Sequence, residues 1–184
     1  MRILKTISVS VFLALAACGQ AAAPGEADAQ TASATGAAST TSAELSAADK
    51  TAIFALLQMR PNAQGQVQNE CGDMVVPQFF VIDLGAGVGR AVAFMIGGGP
   101  SLASCYGDGP LTIIYRNTGG AWREIYQQRA GSPAILSTQH QGGNDLAAGG
   151  PGFSFPVWQW NGTEYAFANR EVPDSALNDA RFIQ

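Results

Sequence analysis

Residues 156–167 read PVWQWNGTEYAF, and this stretch decides the fold class of the chain. Two runs rich in aromatic and β-branched residues, 156–160 and 163–167, flank Asn161-Gly162. Asn-Gly is the strongest two-residue signal for a β-hairpin, because both residues accept the positive φ angles of a type I′ turn. The stretch therefore predicts two antiparallel strands joined by a tight turn.

Five further strands are predicted upstream from the same kind of pattern. Apolar runs at 78–84 and 88–96 flank the glycines of Gly85-Ala86-Gly87, which indicates a turn. Runs at 111–116 and 121–129 flank the loop NTGG at 117–120, and 134–139 is a further short strand. About seven strands are therefore expected, most of them joined by hairpins.

One helix is expected before these strands. Ser46 and Asp49 have the spacing of a capping box, and apolar residues recur at positions 52, 53, 56 and 57. Pro61 ends the pattern. One helix followed by hairpin-connected strands, without alternation of strands and helices, predicts an α+β or mainly β domain with an antiparallel sheet.

The N-terminus carries a targeting signal. A basic start over residues 2–5 precedes an apolar run over 7–17, the pattern of a secretory signal peptide. The run is shorter than the ~20 apolar residues that span a bilayer. It ends in Leu15-Ala16-Ala17-Cys18, which resembles the lipobox of bacterial lipoprotein precursors.

The resemblance implies that residues 1–17 are removed and that Cys18 carries diacylglycerol and a further acyl chain such as palmitate. Several chains on one residue give stable membrane attachment, which one chain does not. Gly19, where an aspartate would retain the protein in the inner membrane, favours the outer membrane with the domain facing the periplasm. The alternative is an ordinary secretory signal with an unmodified cysteine.

Composition divides the remainder of the chain into a tether and a domain. Residues 18–46 are almost entirely small or polar, so they are expected to form a disordered linker. Residues 47–184 are long enough for one globular domain with its own core. Loss of the two basic residues of the signal leaves eight basic and fourteen acidic residues, a net charge of −6. This acidic balance argues against nucleic acid as a partner.

Two cysteines remain after the anchor. In an oxidising periplasm Cys71 and Cys105 are expected to form a disulfide, although two separate buried thiols are the alternative. His140 is the only histidine, so the ligands for a zinc site are too few. We therefore expect no metal and no cofactor.

His140 is also the one residue that suggests an enzyme. Asp145 would orient it as a general base, with Ser132 or Ser137 as the nucleophile. The Gly-x-Ser-x-Gly elbow of many hydrolases is absent from the sequence. A lone exposed histidine without a catalytic role is the alternative.

An aromatic cluster suggests a binding face. Alternation along the strand places Trp158 and Trp160 on one side of the sheet, and Tyr165 lies on the neighbouring strand. These side chains would either contact a glycan or an envelope protein, or form a cross-strand core. Two functions are therefore carried forward: a non-enzymatic binding, inhibitor or structural module of the envelope, and a small periplasmic hydrolase that uses His140 with Asp145.

Overall fold

The computed structural model describes residues 44–97, 105–106, 109–129, 131–149 and 154–183. These residues belong to one compact unit, Thr40–Gln184. The signal peptide, Cys18 and the tether up to residue 43 lie outside the described residues, so their expected roles stay predictions.

The domain has one helix followed by antiparallel strands, as predicted from the hairpin patterns. The helix α1 spans Ala47–Leu56 and a 3₁₀ helix spans Asp174–Leu177. Eleven strands occur in the described part of the chain: β1 (Val67–Gln68), β2 (Met74–Val75), β3 (Gln78–Asp83), β4 (Arg90–Ile96), β5 (Leu111–Thr118), β6 (Ala121–Gln128), β7 (Ala134–His140), β8 (Gly143–Ala147), β9 (Ser154–Trp160), β10 (Tyr165–Pro173) and β11 (Arg181–Phe182).

The strands form three sheets instead of the single sheet that the sequence suggested. A four-stranded sheet has the order β3-β4-β5-β6, a five-stranded sheet has the order β10-β9-β8-β7-β11, and β1 and β2 form a small hairpin. Side chains of both large sheets, such as Ile114 and Leu146, share one core. The fold is therefore mainly β, with its principal core between two antiparallel sheets.

The helix begins where the capping pattern predicted. The hydroxyl oxygen of Ser46 accepts a hydrogen bond from the Asp49 amide at 3.1 Å, and this caps the first turn. Ile53 is buried against the outer face of the four-stranded sheet, where it contacts the cluster that contains Phe94. Leu45, which the sequence assigned to the tether, packs against the same cluster.

The hairpin that decides the fold class is present, with its turn one residue later than expected. Trp160 pairs with Tyr165, and the amide of Asn161 donates to the carbonyl oxygen of Glu164. The turn is thus centred on residues 162–163. The side-chain oxygen of Asn161 accepts hydrogen bonds from the amides of Thr163 and Glu164, and this side-chain capping accounts for the shift.

Candidate functional site

Asp145 is the centre of a polar network on the five-stranded sheet. It lies on β8, the middle strand, and its side chain is 0% exposed. Its Oδ2 atom accepts hydrogen bonds from the hydroxyl of Thr138 at 2.7 Å and from Nη2 of Arg170 at 2.8 Å, with Nε2 of Gln159 at 3.5 Å. Its Oδ1 atom lies 3.1 Å from Nδ1 of His140. The partners of Asp145 therefore come from three other strands: Thr138 and His140 from β7, Gln159 from β9 and Arg170 from β10.

Strand alternation explains why these groups meet. Leu146 fills the core between the sheets, so its neighbour Asp145 points to the outer face of the five-stranded sheet. Further along that face, Leu136, Ala147 and Val157 form a small apolar cluster that Leu177 and neighbouring residues cover. The outer face is therefore apolar near the 3₁₀ helix and polar around Asp145.

The network contains the predicted histidine–carboxylate pair without the serine that a hydrolase needs. The Ser132 hydroxyl donates to the carbonyl oxygen of Ile183 at 2.5 Å, at the other end of β7. Ser137 is exposed, and the hydroxyl that contacts Asp145 belongs to Thr138. A catalytic triad requires the hydroxyl on the histidine, whereas this one is bonded to the carboxylate.

The aromatic residues that the sequence suggested as a binding face lie largely in the core. Trp160 and Tyr165 are 2% and 7% exposed, and the Tyr165 hydroxyl donates to the carbonyl oxygen of Asn144. Trp158 is half-buried and packs edge-to-face on Tyr126 at 5.7 Å. Of the two alternatives, the structure favours the cross-strand core, because this side of the hairpin faces the four-stranded sheet.

A disulfide joins Cys71 and Cys105, whose Cα atoms lie 5.5 Å apart. Close by, both terminal nitrogens of Arg129 bond the carboxylate of Glu70, at 2.5 and 2.6 Å. The hydroxyl of Tyr106 accepts a hydrogen bond from the Glu70 amide. These contacts fasten the β1–β2 hairpin to the rest of the domain.

The second candidate site is a cleft between β3 and β11, called the edge cleft below. Its volume is about 630 Å³. Both strands are end strands of their sheets, so the cleft opens along one side of the sandwich. Its lining is apolar with a charged rim: Leu45, Phe79, Phe80, Val81, Ile82, Ile135, Phe182 and Ile183, with Glu44, Lys50, Asp83 and Arg181.

Several side chains of the edge cleft are open to solvent. Phe182 is 50% exposed, and all four apolar residues of β3 are only partly buried. The ammonium group of Lys50 lies 5.7 Å from the centre of the Phe79 ring. Sequence reasoning identified 78–84 as a strand but missed this cleft. The one available signal was the uninterrupted apolar run FFVI at 79–82, which requires cover on both faces.

Within the described residues, no group of three or more histidine, cysteine or acidic side chains is placed to hold a metal ion. No helix in that part of the chain is long and apolar enough to cross a membrane. Comparison of the chain with models of known protein families, with curated proteins and with solved structures found no match.

Proposed function

We infer that this chain is a lipid-anchored envelope protein whose domain binds a partner through the edge cleft. The lipobox ending in Cys18 supports the anchor, and the outer membrane is the proposed location. The disulfide between Cys71 and Cys105 supports an oxidising compartment such as the periplasm. The proposed partner is another component of the envelope.

The exposed apolar lining of the edge cleft is the observation that carries the binding function. Soluble domains seldom leave a contiguous apolar patch open to water, and patches with a polar rim mark interaction sites. Here Phe182 and the apolar residues of β3 lie side by side within one cleft. A ligand that covered them would gain roughly 25 cal/mol for each Å² of apolar surface removed from water.

A hydrolase that uses His140 is the second candidate. The favourable observation is the 3.1 Å approach of His140 to Asp145, together with the 51% exposure of the His140 side chain. Two observations argue against a hydrolase. The Ser132 hydroxyl donates to the carbonyl oxygen of Ile183, and the Asp145 carboxylate already accepts hydrogen bonds from Thr138 and Arg170. Binding through the edge cleft is therefore the better supported function.

The anchor is tested by Cys18→Ala in the natural host. Wild-type protein is expected to incorporate labelled palmitate and to sediment with outer membranes. The variant is expected to lose the label and to leave the membrane fraction. Labelling of Cys18→Ala to the wild-type level would contradict the anchor.

Binding through the edge cleft is tested by photo-crosslinking in intact cells. A benzoylphenylalanine replaces Phe182 in the cleft or, as the matched control, Val76, which is 63% exposed on the far side of Pro77 from β3. A discrete adduct from position 182 but not from position 76 is expected, and His140→Ala should not change it. Equal adducts from both positions, or an envelope hydrolase activity that His140→Ala abolishes, would refute this assignment.

A further inference from the structure

The outward edge of β3 presents main-chain hydrogen-bonding groups to the edge cleft. The register of β3 with β4 is continuous from Gln78–Met95 to Asp83–Arg90, and the Leu84 amide donates to the Gly89 carbonyl oxygen. Bonded and non-bonded pairs alternate in an antiparallel ladder. Ile82 and Phe80 therefore direct their main-chain groups toward β4.

The alternate residues of β3, Phe79, Val81 and Asp83, direct their amide and carbonyl groups away from β4. One observed contact supports this assignment, because Nη2 of Arg181 donates to the carbonyl oxygen of Asp83 at 2.9 Å. The Val81 groups lie in the middle of this edge. The outward amide and carbonyl groups of β3 recur at every second residue, which is also the spacing of the acceptors and donors on a neighbouring extended chain.

The middle of the β3 edge, residues 79–82, lacks the features that protect the end strands β6 and β10. The end strand β6 has a register shift and the charged residues Arg123 and Glu124, and β10 has a register shift next to Arg170. Residues 79–82 of β3 contain no charge and no proline, and their pairing has no bulge. A long, apolar, regular edge strand is a template for another strand.

We propose that the edge cleft binds an extended polypeptide segment of another envelope protein, which adds to β3 as a fifth strand of the four-stranded sheet. This rests on the proposed binding function and specifies its ligand. Main-chain bonds to Phe79, to Val81 and to the amide of Asp83, whose carbonyl oxygen already accepts from Arg181, would supply affinity. Alternate apolar side chains would enter the cleft beside Phe80 and Phe182.

Charge and shape favour this ligand. The rim has two cationic side chains, Lys50 and Arg181, and two anionic ones, Glu44 and Asp83, which suits a neutral segment better than a polyanion. Residues of β11 and Ile183 wall the far side of the cleft. The cleft therefore has room for one extended segment. A second folded copy of the domain would place a whole sheet in contact with β11 and Ile183.

The tether joins the domain at the same cleft. Glu44, the first described residue, and Leu45 both belong to the lining. The cleft therefore lies at the N-terminal end of the described domain, next to the residues that follow the predicted linker.

The main-chain pairing is tested with variants of Val81. Full-length protein is purified from the membrane in detergent and titrated with a fluorescent hexapeptide in which valine and threonine alternate. Val81→Pro removes the amide that points away from β4 and leaves all hydrogen bonds to β4 in place. An edge strand tolerates proline at such a position. The matched control Val81→Ala keeps the amide and shortens the same side chain.

Val81→Pro is expected to weaken peptide binding about tenfold through loss of a main-chain hydrogen bond, and Val81→Ala by less than about threefold. In the wild-type protein, the peptide should slow hydrogen exchange of the Phe79, Val81 and Asp83 amides but not of the Phe80 and Ile82 amides. Equal binding by both variants, or protection without this two-residue period, would overturn the pairing.

Peptides methylated on single amides provide a measurement that leaves the protein unchanged. Methylation is expected to abolish binding at every second position only. A peptide that fails to bind in every form overturns the extended-segment ligand, and so does a dimer that protects the β3 edge without peptide. In either case a specific crosslink from position 182 still stands, so failure of this ligand is distinguishable from failure of the binding function.

Discussion

Asp145→Asn is expected to lower the free energy of unfolding by about 2 kcal/mol. The substitution keeps the shape of the side chain but replaces one acceptor oxygen by a donor group. Oδ2 accepts from both Thr138 and Arg170, at 2.7 and 2.8 Å, and Oδ1 faces Nδ1 of His140. The amide oxygen can take only one of the two positions. If it keeps Thr138 and Arg170, the new amide group faces Nδ1 of His140, which must then be the acceptor tautomer; in either orientation Arg170 loses its charged partner.

The size of this loss of stability depends on how far the hydrogen-bond partners of Asp145 are exposed to solvent. Removal of one member of a buried ion pair costs about 3 to 5 kcal/mol when the other member stays buried. Here the side chains of Arg170 and His140 are 38% and 51% exposed, so solvent compensates them in part and the loss falls below that range, at about 2 kcal/mol.

The effect of Asp145→Asn is measured by urea unfolding at neutral pH, with the midpoint shifted and the denaturant dependence unchanged. Thr138→Val, which removes one donor, is expected to cost about 1 kcal/mol. The control Asp174→Asn alters an exposed carboxylate at the start of the 3₁₀ helix and should change stability by less than about 0.5 kcal/mol. A loss below about 1 kcal/mol for Asp145→Asn would refute the structural role of this carboxylate. Loss of an envelope activity without loss of stability would identify it as catalytic instead.

Three further outcomes are expected from the structure. Tyr126→Phe should raise the free energy of unfolding by about 1 kcal/mol in thermal or urea unfolding, because the hydroxyl is buried without a hydrogen-bond partner among the described residues; a loss of stability would mean that the hydroxyl is satisfied. Replacing Cys71 and Cys105 by serine should cost about 4 kcal/mol, since the bridge closes a loop with a sequence separation of 34, and reduction of the wild-type protein should have the same effect; equal stability of reduced and oxidised protein would contradict this. Burial and the nearby Glu164 raise the pKa of Glu124, so its charged form is disfavoured in the folded state and the penalty applies above the folded pKa. Glu124→Gln should therefore stabilise the protein at pH 7 by about 0.5 kcal/mol or less and have no effect near pH 3, whereas a gain that persists in acid would have another cause.

The hairpins were predictable because their signals are local. The turn between β5 and β6 is made by Gly119 and Gly120, whose φ angles of 63° and 91° are those of a type I′ turn. The capping of α1 by Ser46 also depends only on neighbouring residues. Such features follow from the conformational preferences of a few consecutive residues, so a single sequence contains them.

The strand β8 was missed for the opposite reason. Its sequence GNDLA at 143–147 is short, polar and preceded by glycine, which is typical of a loop. It becomes the central strand of a sheet because β7 and β9 pair with it on both sides. Asp145 can be buried there only because Thr138 and Arg170, from two other strands, supply its hydrogen bonds.

The sequence alone predicted the mainly antiparallel class of the domain and the places of most of its hairpins. The anchor at Cys18 stays a prediction. Only the tertiary structure decided that Trp160 and Tyr165 are core residues, that Asp145 is buried, and that β3 is an end strand of its sheet among the described residues. The physical reason is that strand alternation determines which side chains share a face. Whether that face meets water or another sheet depends on contacts between residues far apart in the chain.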